Sequence, residues 1–206
     1  MQNERQYIKR SLETLAIFID YHNLEGSLRN EGLQIDLLSL QDYLAKGRKL
    51  IETFVYIGFN PNNLQEDKNF HRFLKINGFI VRTKTARVKP DGSLKCDLDI
   101  ELTLDIVDYV TTVRPEIVIL ITGDGDFVPL VNWLRMRGIR VEVGGIQSSM
   151  SQDLKESSND YIDLQSAIEE IQGTDREIAV RREEVATNVN GNHQWQEGGD
   201  PVDDNR

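Results

Sequence analysis

Five consecutive apolar residues, Ile117 to Ile121, run directly into the segment TGDGDF at 122–127. An apolar run this short and this rich in β-branched side chains is typical of a strand buried on both faces, as in a parallel sheet covered by helices. The two glycines of the segment allow a tight turn and a close approach of the backbone to a ligand. Because open α/β sheets bind ligands at the carboxyl ends of their strands, we expect Asp124 and Asp126 to lie at a functional site.

Short apolar runs alternate with longer amphipathic segments along the rest of the chain, which predicts a parallel sheet between layers of helices. Five strands in the spatial order 3-2-1-4-5 are expected, over 15–20, 51–58, 79–83, 117–121 and 139–143. Helices are predicted over about 36–46, 63–76, 98–113, 128–137 and 152–171, the last with an interruption near Ser157. A turn at 90–92 predicts that residues 83–95 form a protruding β-hairpin arm.

The basic residues of this acidic chain are unevenly distributed. The formal net charge is −10, yet residues 68–95 hold eight Lys or Arg and one acid, a local net charge of +7. Such a segment gives an acidic protein a place to bind a phosphate backbone. We expect the arm to grip a nucleic-acid backbone through Arg82, Lys84, Arg87, Lys89 and Lys95. The alternative is a solvated edge hairpin that its lysines keep soluble.

Two further acids are predicted to approach Asp124. Asp20 ends the first strand, and in the expected strand order it would face Asp124 across the crevice, with Asn23 turned toward the same place. Asp99 falls in an apolar stripe of the predicted helix 98–113, where an unpaired charge is costly. Simpler alternatives remain open: Asp20 as an Asx-turn residue, and Asp99 as an acid that favours the start of a helix.

Clustered carboxylates must either hold protons or share a cation. Two unit charges about 4 Å apart repel by about 4 kcal/mol at an effective dielectric near 20. Mg²⁺ or Mn²⁺ is the expected guest, since these ions accept oxygen ligands, keep several waters and coordinate phosphate. With one cysteine, Cys96, and three histidines, the chain shows no zinc-type ligand pattern.

Three blocks of the chain resemble one known family. They are FIDYHNL at 18–24, KCDLDIELTLD at 95–105 and ITGDGDFVPLVNWLRMRGIRVEV at 121–143. Together they resemble the NYN family of PIN-like, nuclease-related domains, in particular its bacterial LabA-like branch. The resemblance spans roughly residues 14–171 and implies a PIN-like three-layer α/β/α sandwich with a metal-dependent site for RNA cleavage.

The resemblance also implies roles for individual residues. Asp20, Asp99 and Asp124 would be metal ligands, Asp105 and Asp126 further catalytic acids of the pocket, and Asn23 an orienting group. The periodicity alone had left Asp105 at the edge of a solvated stripe. His22 departs from the small residues that are common at this place in the family, and a surface histidine is the simplest interpretation.

Two functions are carried forward: a metal-dependent ribonuclease acting on single-stranded RNA, and a regulatory module that binds RNA or protein without turnover. The segment Asp124 to Val128 also fits the D-x-D-x-[TV] loop of haloacid-dehalogenase-like phosphatases, but too little structure is expected after it for that fold.

The remaining predictions concern the whole chain. Residues 1–13 are expected to be an N-terminal extension, 14–171 the domain, and 172–206 a disordered acidic tail. No membrane-spanning run is found, and a cytoplasmic protein is expected. The oligomeric state is open, with a homodimer as one alternative.

Overall fold

A parallel sheet forms the middle layer of the computed structural model, which describes residues 13–59, 64–88 and 94–174. Eight strands occur in these ranges: β1 (Thr14–Asp20), β2 (Lys49–Phe59), β3 (Ile80–Thr85), β4 (Arg87–Val88), β5 (Leu94–Lys95), β6 (Ile117–Ile121), β7 (Arg140–Gly145) and β8 (Asp160–Asp163). Six of them form one sheet in the order β3-β2-β1-β6-β7-β8, and all five pairings are parallel. The predicted order of the first five sheet strands is confirmed.

Seven α-helices lie in the described ranges: α1 (Tyr21–Asn30), α2 (Leu37–Ala45), α3 (Leu64–Ile76), α4 (Asp99–Thr112), α5 (Val128–Arg135), α6 (Gln152–Ser157) and α7 (164–174). One compact unit of the chain ends at Glu169, and a second begins at Glu170, whose described residues, 170–174, are helical. None of the described helices is long and apolar enough to cross a lipid bilayer.

Alternate side chains of the central strands pack into two separate hydrophobic cores, one on each face of the sheet. In β1, Leu15, Ile17 and Ile19 pack with residues of α1, α2, α3 and α7, and they are fully buried. Ala16 and Phe18 point the other way and pack with α4, α5 and α6. Burial of each large aliphatic side chain contributes roughly 1.5–3 kcal/mol, so these two cores hold the three layers together.

Three local features differ from the predictions. A sixth sheet strand, β8, replaces the middle of the predicted helix 152–171, because Asn159 leaves the helix and its Oδ1 accepts the N–H of Val141 at 2.9 Å. Helix α1 follows β1 directly, although no helix was predicted there. β3 continues to Thr85, and among the described residues of the arm the antiparallel ladder consists of β4 and β5.

Some predictions fall outside the described residues. They are the first residue of the predicted helix 63–76, Lys89 of the arm, the turn at 90–92, the extension 1–13 except residue 13, and the tail 172–206 except residues 172–174. Arg87 and Lys95 belong to β4 and β5, but their side chains also lie outside the described part of the chain.

A buried ion-pair cluster lies at the amino-terminal edge of the sheet. The Glu142 side chain is 5% exposed and bonds Arg48 at 2.7 Å, and Arg140 lies 3.2 Å from the same oxygen. Arg48 also donates to the carbonyls of Ala45 and Leu44 at the end of α2. The cluster therefore ties α2 to β7 across the sheet edge.

We expect Glu142→Ala to lower the free energy of unfolding by about 3–5 kcal/mol, because the Arg48 guanidinium would remain buried without its carboxylate. Guanidinium chloride denaturation measures the change. Glu25→Ala serves as the control, since Glu25 pairs with Arg29 at 3.3 Å on the exposed face of α1 and should lose less than about 1 kcal/mol. Equal losses in the two variants would contradict the structural role of the cluster.

Candidate metal centre

A pocket of about 240 Å³ opens at the carboxyl ends of β1 and β6. Three segments line it: the junction of β1 with α1, the turn that leads into α4, and the loop after β6. The lining residues are Asp20, His22, Asn23, Cys96, Asp97, Leu98, Asp99 and Asp124. The three carboxylates expected to bind metal, those of Asp20, Asp99 and Asp124, therefore line one pocket. Asp20 and Asp124 are far apart in the sequence, and the fold brings them together.

The Asp20 carboxylate lines the pocket and also accepts two hydrogen bonds that hold the local structure. Its Oδ1 accepts the N–H of Asn23 at 3.2 Å and so caps α1, and its Oδ2 accepts the hydroxyl of Thr122 at 3.2 Å. Burial raises the pKa of Asp20 above its ordinary value, and these two hydrogen bonds oppose the rise. Asp20 is thus both the turn residue that caps α1 and a residue of the pocket, so the two interpretations are compatible.

The loop after β6 is held from both sides. Gly123 donates its N–H to Asn23 Oδ1 at 2.8 Å, and its carbonyl accepts the N–H of Ser151 at 2.9 Å. Asp124 Oδ1 accepts the N–H of Asp126 at 2.9 Å, which starts a short 3₁₀ turn. Asn23 is therefore an orienting group for the loop backbone, and Asp126 is exposed and lies outside the pocket lining.

Asp99 is the first residue of α4 and is half-buried. Burial, followed by the charges of Asp97, Asp20 and Asp124, raises the pKa of Asp99 to about 6. Its neighbours Leu98, Leu102 and Ile106 are buried, as the helical periodicity predicted. A bound cation would stabilise the ionised form of Asp99, because it would offset the repulsion from the neighbouring carboxylates.

Asp105 is placed away from the pocket lining. Its Oδ2 accepts the hydroxyl of Tyr56 at 3.0 Å and forms an ion pair with Arg82 Nε at 2.7 Å. Burial, followed by the charge of Asp105, raises the pKa of the Tyr56 phenol. Asp105 therefore anchors β2 and β3 to α4, and the structure does not bring it together with the other acids.

The arm cations that the structure describes are engaged with acids of α4. Lys84 Nζ lies 2.7 Å from Glu101 and 2.8 Å from the carbonyl oxygen of Asp97, beside the turn that lines the pocket. Arg82 is held by Asp105 in the same way. Both side chains remain about half exposed, at 50% for Arg82 and 48% for Lys84.

The donor atoms of the pocket suit an oxygen-preferring divalent cation. Within the described ranges, no group of three or more His, Cys, Asp or Glu side chains is arranged as a cage that could hold a metal ion. Mg²⁺ does not need such a cage, since it commonly binds one or two carboxylates and keeps several waters. Burial and neighbouring charges make Asp20 and Asp99 unfavourable as bare anions, and together with Asp124 they give the pocket an oxygen donor set that fits this mode of binding.

A family model for the NYN domain matches residues 14–168. The chain belongs to the NYN domain family. The matched range begins with β1 and ends within α7, so it contains every strand of the main sheet and all three segments that line the pocket.

Two proteins are similar to this NYN chain, one compared by sequence and one by structure. The low amplitude and bright protein LabA of Synechococcus elongatus is 28% identical over 170 residues, which cover 79% of this chain and 89% of that protein. A crystal structure of a protein of unknown function from Vibrio parahaemolyticus superposes with a TM-score of 0.64 at 26% identity, covering 74% of this chain and 93% of that one. The α/β/α fold of this chain is therefore shared with that solved structure.

Sequence reasoning missed two groups that shape the pocket. Thr122 bridges Asp20 to the β6 loop, and its position directly before the GDGD run is the only sequence signal for it. Cys96 lines the pocket and packs against Gly58, where an added Cβ would come within 2.7 Å of the Cys96 Cβ. Gly58 therefore fixes how closely the turn before α4 can approach β2.

We expect Gly123→Ala to distort the pocket, because a Cβ at residue 123 would lie 2.6 Å from the carbonyl oxygen of Ser149. The strain should lower the free energy of unfolding by about 1–3 kcal/mol and weaken Mn²⁺ binding, as measured by thermal denaturation and by electron paramagnetic resonance of free Mn²⁺. Gly26→Ala is the control: its Cβ meets nothing within 4 Å in α1, so it should be stabilising by about 0.5–1 kcal/mol. A Gly123→Ala protein with wild-type stability and Mn²⁺ affinity would refute this account of the loop.

Proposed function

We propose that this NYN protein is a divalent-metal-dependent ribonuclease that hydrolyses phosphodiester bonds in single-stranded RNA. The observation that carries the proposal is the convergence of Asp20, Asp99 and Asp124 on one pocket at the carboxyl edge of a parallel sheet. Ligands of such sheets bind at this edge. Membership of a PIN-like nuclease family, whose members usually use divalent metals, supports the same conclusion.

Asp20, Asp99 and Asp124 would hold Mg²⁺ or Mn²⁺. When bound, such an ion polarises a phosphate oxygen and lowers the pKa of a coordinated water. Asp20 and Asp124 are oriented for this task by the hydrogen bonds from Thr122, Asn23 and Asp126, each of which leaves carboxylate lone pairs free for a further ligand. Rigid carboxylates lose little freedom when a cation binds, which favours a defined geometry at the scissile phosphate.

The substrate assignment rests on charge and on composition. A pocket lined by acids attracts RNA poorly by itself, so affinity has to come from cations elsewhere in the segment 68–95. Only 7% of the residues are aromatic, which leaves few platforms for base stacking. Recognition is therefore expected to be directed at the backbone and tolerant of sequence.

We expect Asp124→Asn to reduce cleavage of single-stranded RNA by roughly 100-fold or more, because the amide cannot supply the negative charge that holds the cation. Cleavage is followed on a labelled RNA with Mn²⁺ or Mg²⁺, and a chelator should abolish it. The matched control is Asp108→Asn, which removes one exposed carboxylate from α4 outside the pocket lining and should keep activity within about twofold of wild type.

The outcomes of this experiment separate the two candidate functions. Persistent cleavage by Asp124→Asn would contradict the proposed site. A wild-type protein that binds RNA but never cleaves it would favour the second candidate, a regulatory module that binds RNA or protein. The observation in favour of the module is that the described carboxylates form no closed metal cage, and that α4 acids engage Arg82 and Lys84.

A further inference from the structure

The cations of helix α3 have no described ion-pair partners, unlike the described cations of the arm. Lys68, Arg72 and Lys75 are exposed, and none of them has a hydrogen bond or ion pair to another residue in the part of the chain that the structure describes. Arg82 and Lys84, by contrast, already contact carboxylates of α4. A phosphate that binds Arg82 or Lys84 has to compete with those carboxylates, whereas a phosphate at α3 does not.

The three cations form one stripe. At 100° per residue, positions 68, 72 and 75 project within about 60° of each other on the helix surface. No acidic residue occurs between 68 and 76. The stripe borders a shallow concavity of about 390 Å³ that is lined by Lys68, His71, Arg72, Lys75 and Ile76. A rise of about 1.5 Å per residue spreads the charges over roughly 10 Å, which suits an extended polyanion better than a single small anion.

The first half of α3 lies at the same edge of the sheet as the carboxylate pocket. The ring of Tyr21, which follows Asp20 directly, lies 5.4 Å from the ring of Phe70 in α3. The ring of Phe59, the last residue of β2, lies 6.1 Å from that of His71. The first half of α3 therefore packs at the carboxyl edge of the sheet. Because α3 leads to the start of β3, its axis then runs toward the opposite edge, away from the pocket.

We propose that the Lys68, Arg72 and Lys75 stripe of α3 is the main phosphate track of this protein, and that it binds the backbone of a single-stranded RNA next to the carboxylate pocket. This inference rests on the proposed function for the identity of the polyanion. It assigns the arm a secondary part, since the described arm cations are committed to α4. The exposed Ile76 side chain borders the track and offers an apolar contact for a base.

The test measures binding of a fluorescent single-stranded RNA by anisotropy, in the Asp124→Asn background so that cleavage does not interfere. The variant Lys68→Gln/Arg72→Gln/Lys75→Gln should bind about 10- to 100-fold more weakly near 0.1 M salt. Its plot of log affinity against log salt should be shallower by about 2, since each contact to a single strand contributes roughly 0.7 to that slope.

Three controls accompany this variant. Lys49→Gln/Arg114→Gln/Arg137→Gln removes three exposed cations near the amino-terminal edge of the sheet and should change affinity by less than about threefold. Lys68→Arg/Arg72→Lys/Lys75→Arg keeps the charges and should keep the affinity. Arg82→Gln/Lys84→Gln should weaken binding less than the loss of the α3 stripe. Circular dichroism melting confirms that each variant folds.

The failures of the two proposals are distinguishable. If the α3 variant binds RNA with unchanged affinity and salt slope while the parent binds well, the track is refuted and the proposed function stands. If neither the Asp124→Asn parent nor the wild-type protein in chelator binds RNA, the track is refuted, whereas the proposed function fails only if the wild-type protein with Mn²⁺ or Mg²⁺ also leaves the RNA uncleaved. Displacement of the RNA by polyglutamate at equal charge concentration would identify an acidic protein as the fitting partner and would overturn the assignment to RNA.

Discussion

The parallel pairing of β1 with β6 is the contact on which the rest of the molecule depends. The register places Ile19 opposite Ile121, so both strands reach the same edge of the sheet, where Asp20 ends β1 and the loop that carries Asp124 follows β6. The hydrogen bond from Thr122 to Asp20 closes this edge. Since the chain reverses its strand order at this pair, a crevice opens there, and the candidate centre occupies it.

The same crevice concentrates unfavourable charge. Asp20 and Asp99 both have raised pKa values, with burial as the first cause in each case. The fold tolerates this cost because the two cores on either side of β1 and β6 are fully buried and well packed. Carboxylates that lower the stability of the unliganded protein, and whose ionised forms a cation would stabilise, are expected at a functional centre rather than at a structural one.

Helix α4 distributes its acids between two tasks. Asp99 at its first turn faces the pocket, whereas Glu101 and Asp105 hold Lys84 and Arg82 and so attach β3 to the helix. This division leaves the arm cations Arg82 and Lys84 paired with acids of the helix. Lys68, Arg72 and Lys75 of α3 have no described partner, and no acid lies between 68 and 76.

The sequence alone determined five of the six sheet strands and their order, and it singled out three of the four aspartates that line the pocket. It could do so because buried parallel strands have continuous apolar runs, and because an acid in an apolar stripe requires a partner. Only the tertiary structure decided that β8 is a strand, that Asp105 pairs with Arg82, and that Asp126 lies outside the pocket lining. A short edge strand takes its conformation from the neighbour it pairs with, and the direction of a surface acid depends on which cation the fold brings beside it. Neither partner is close in sequence.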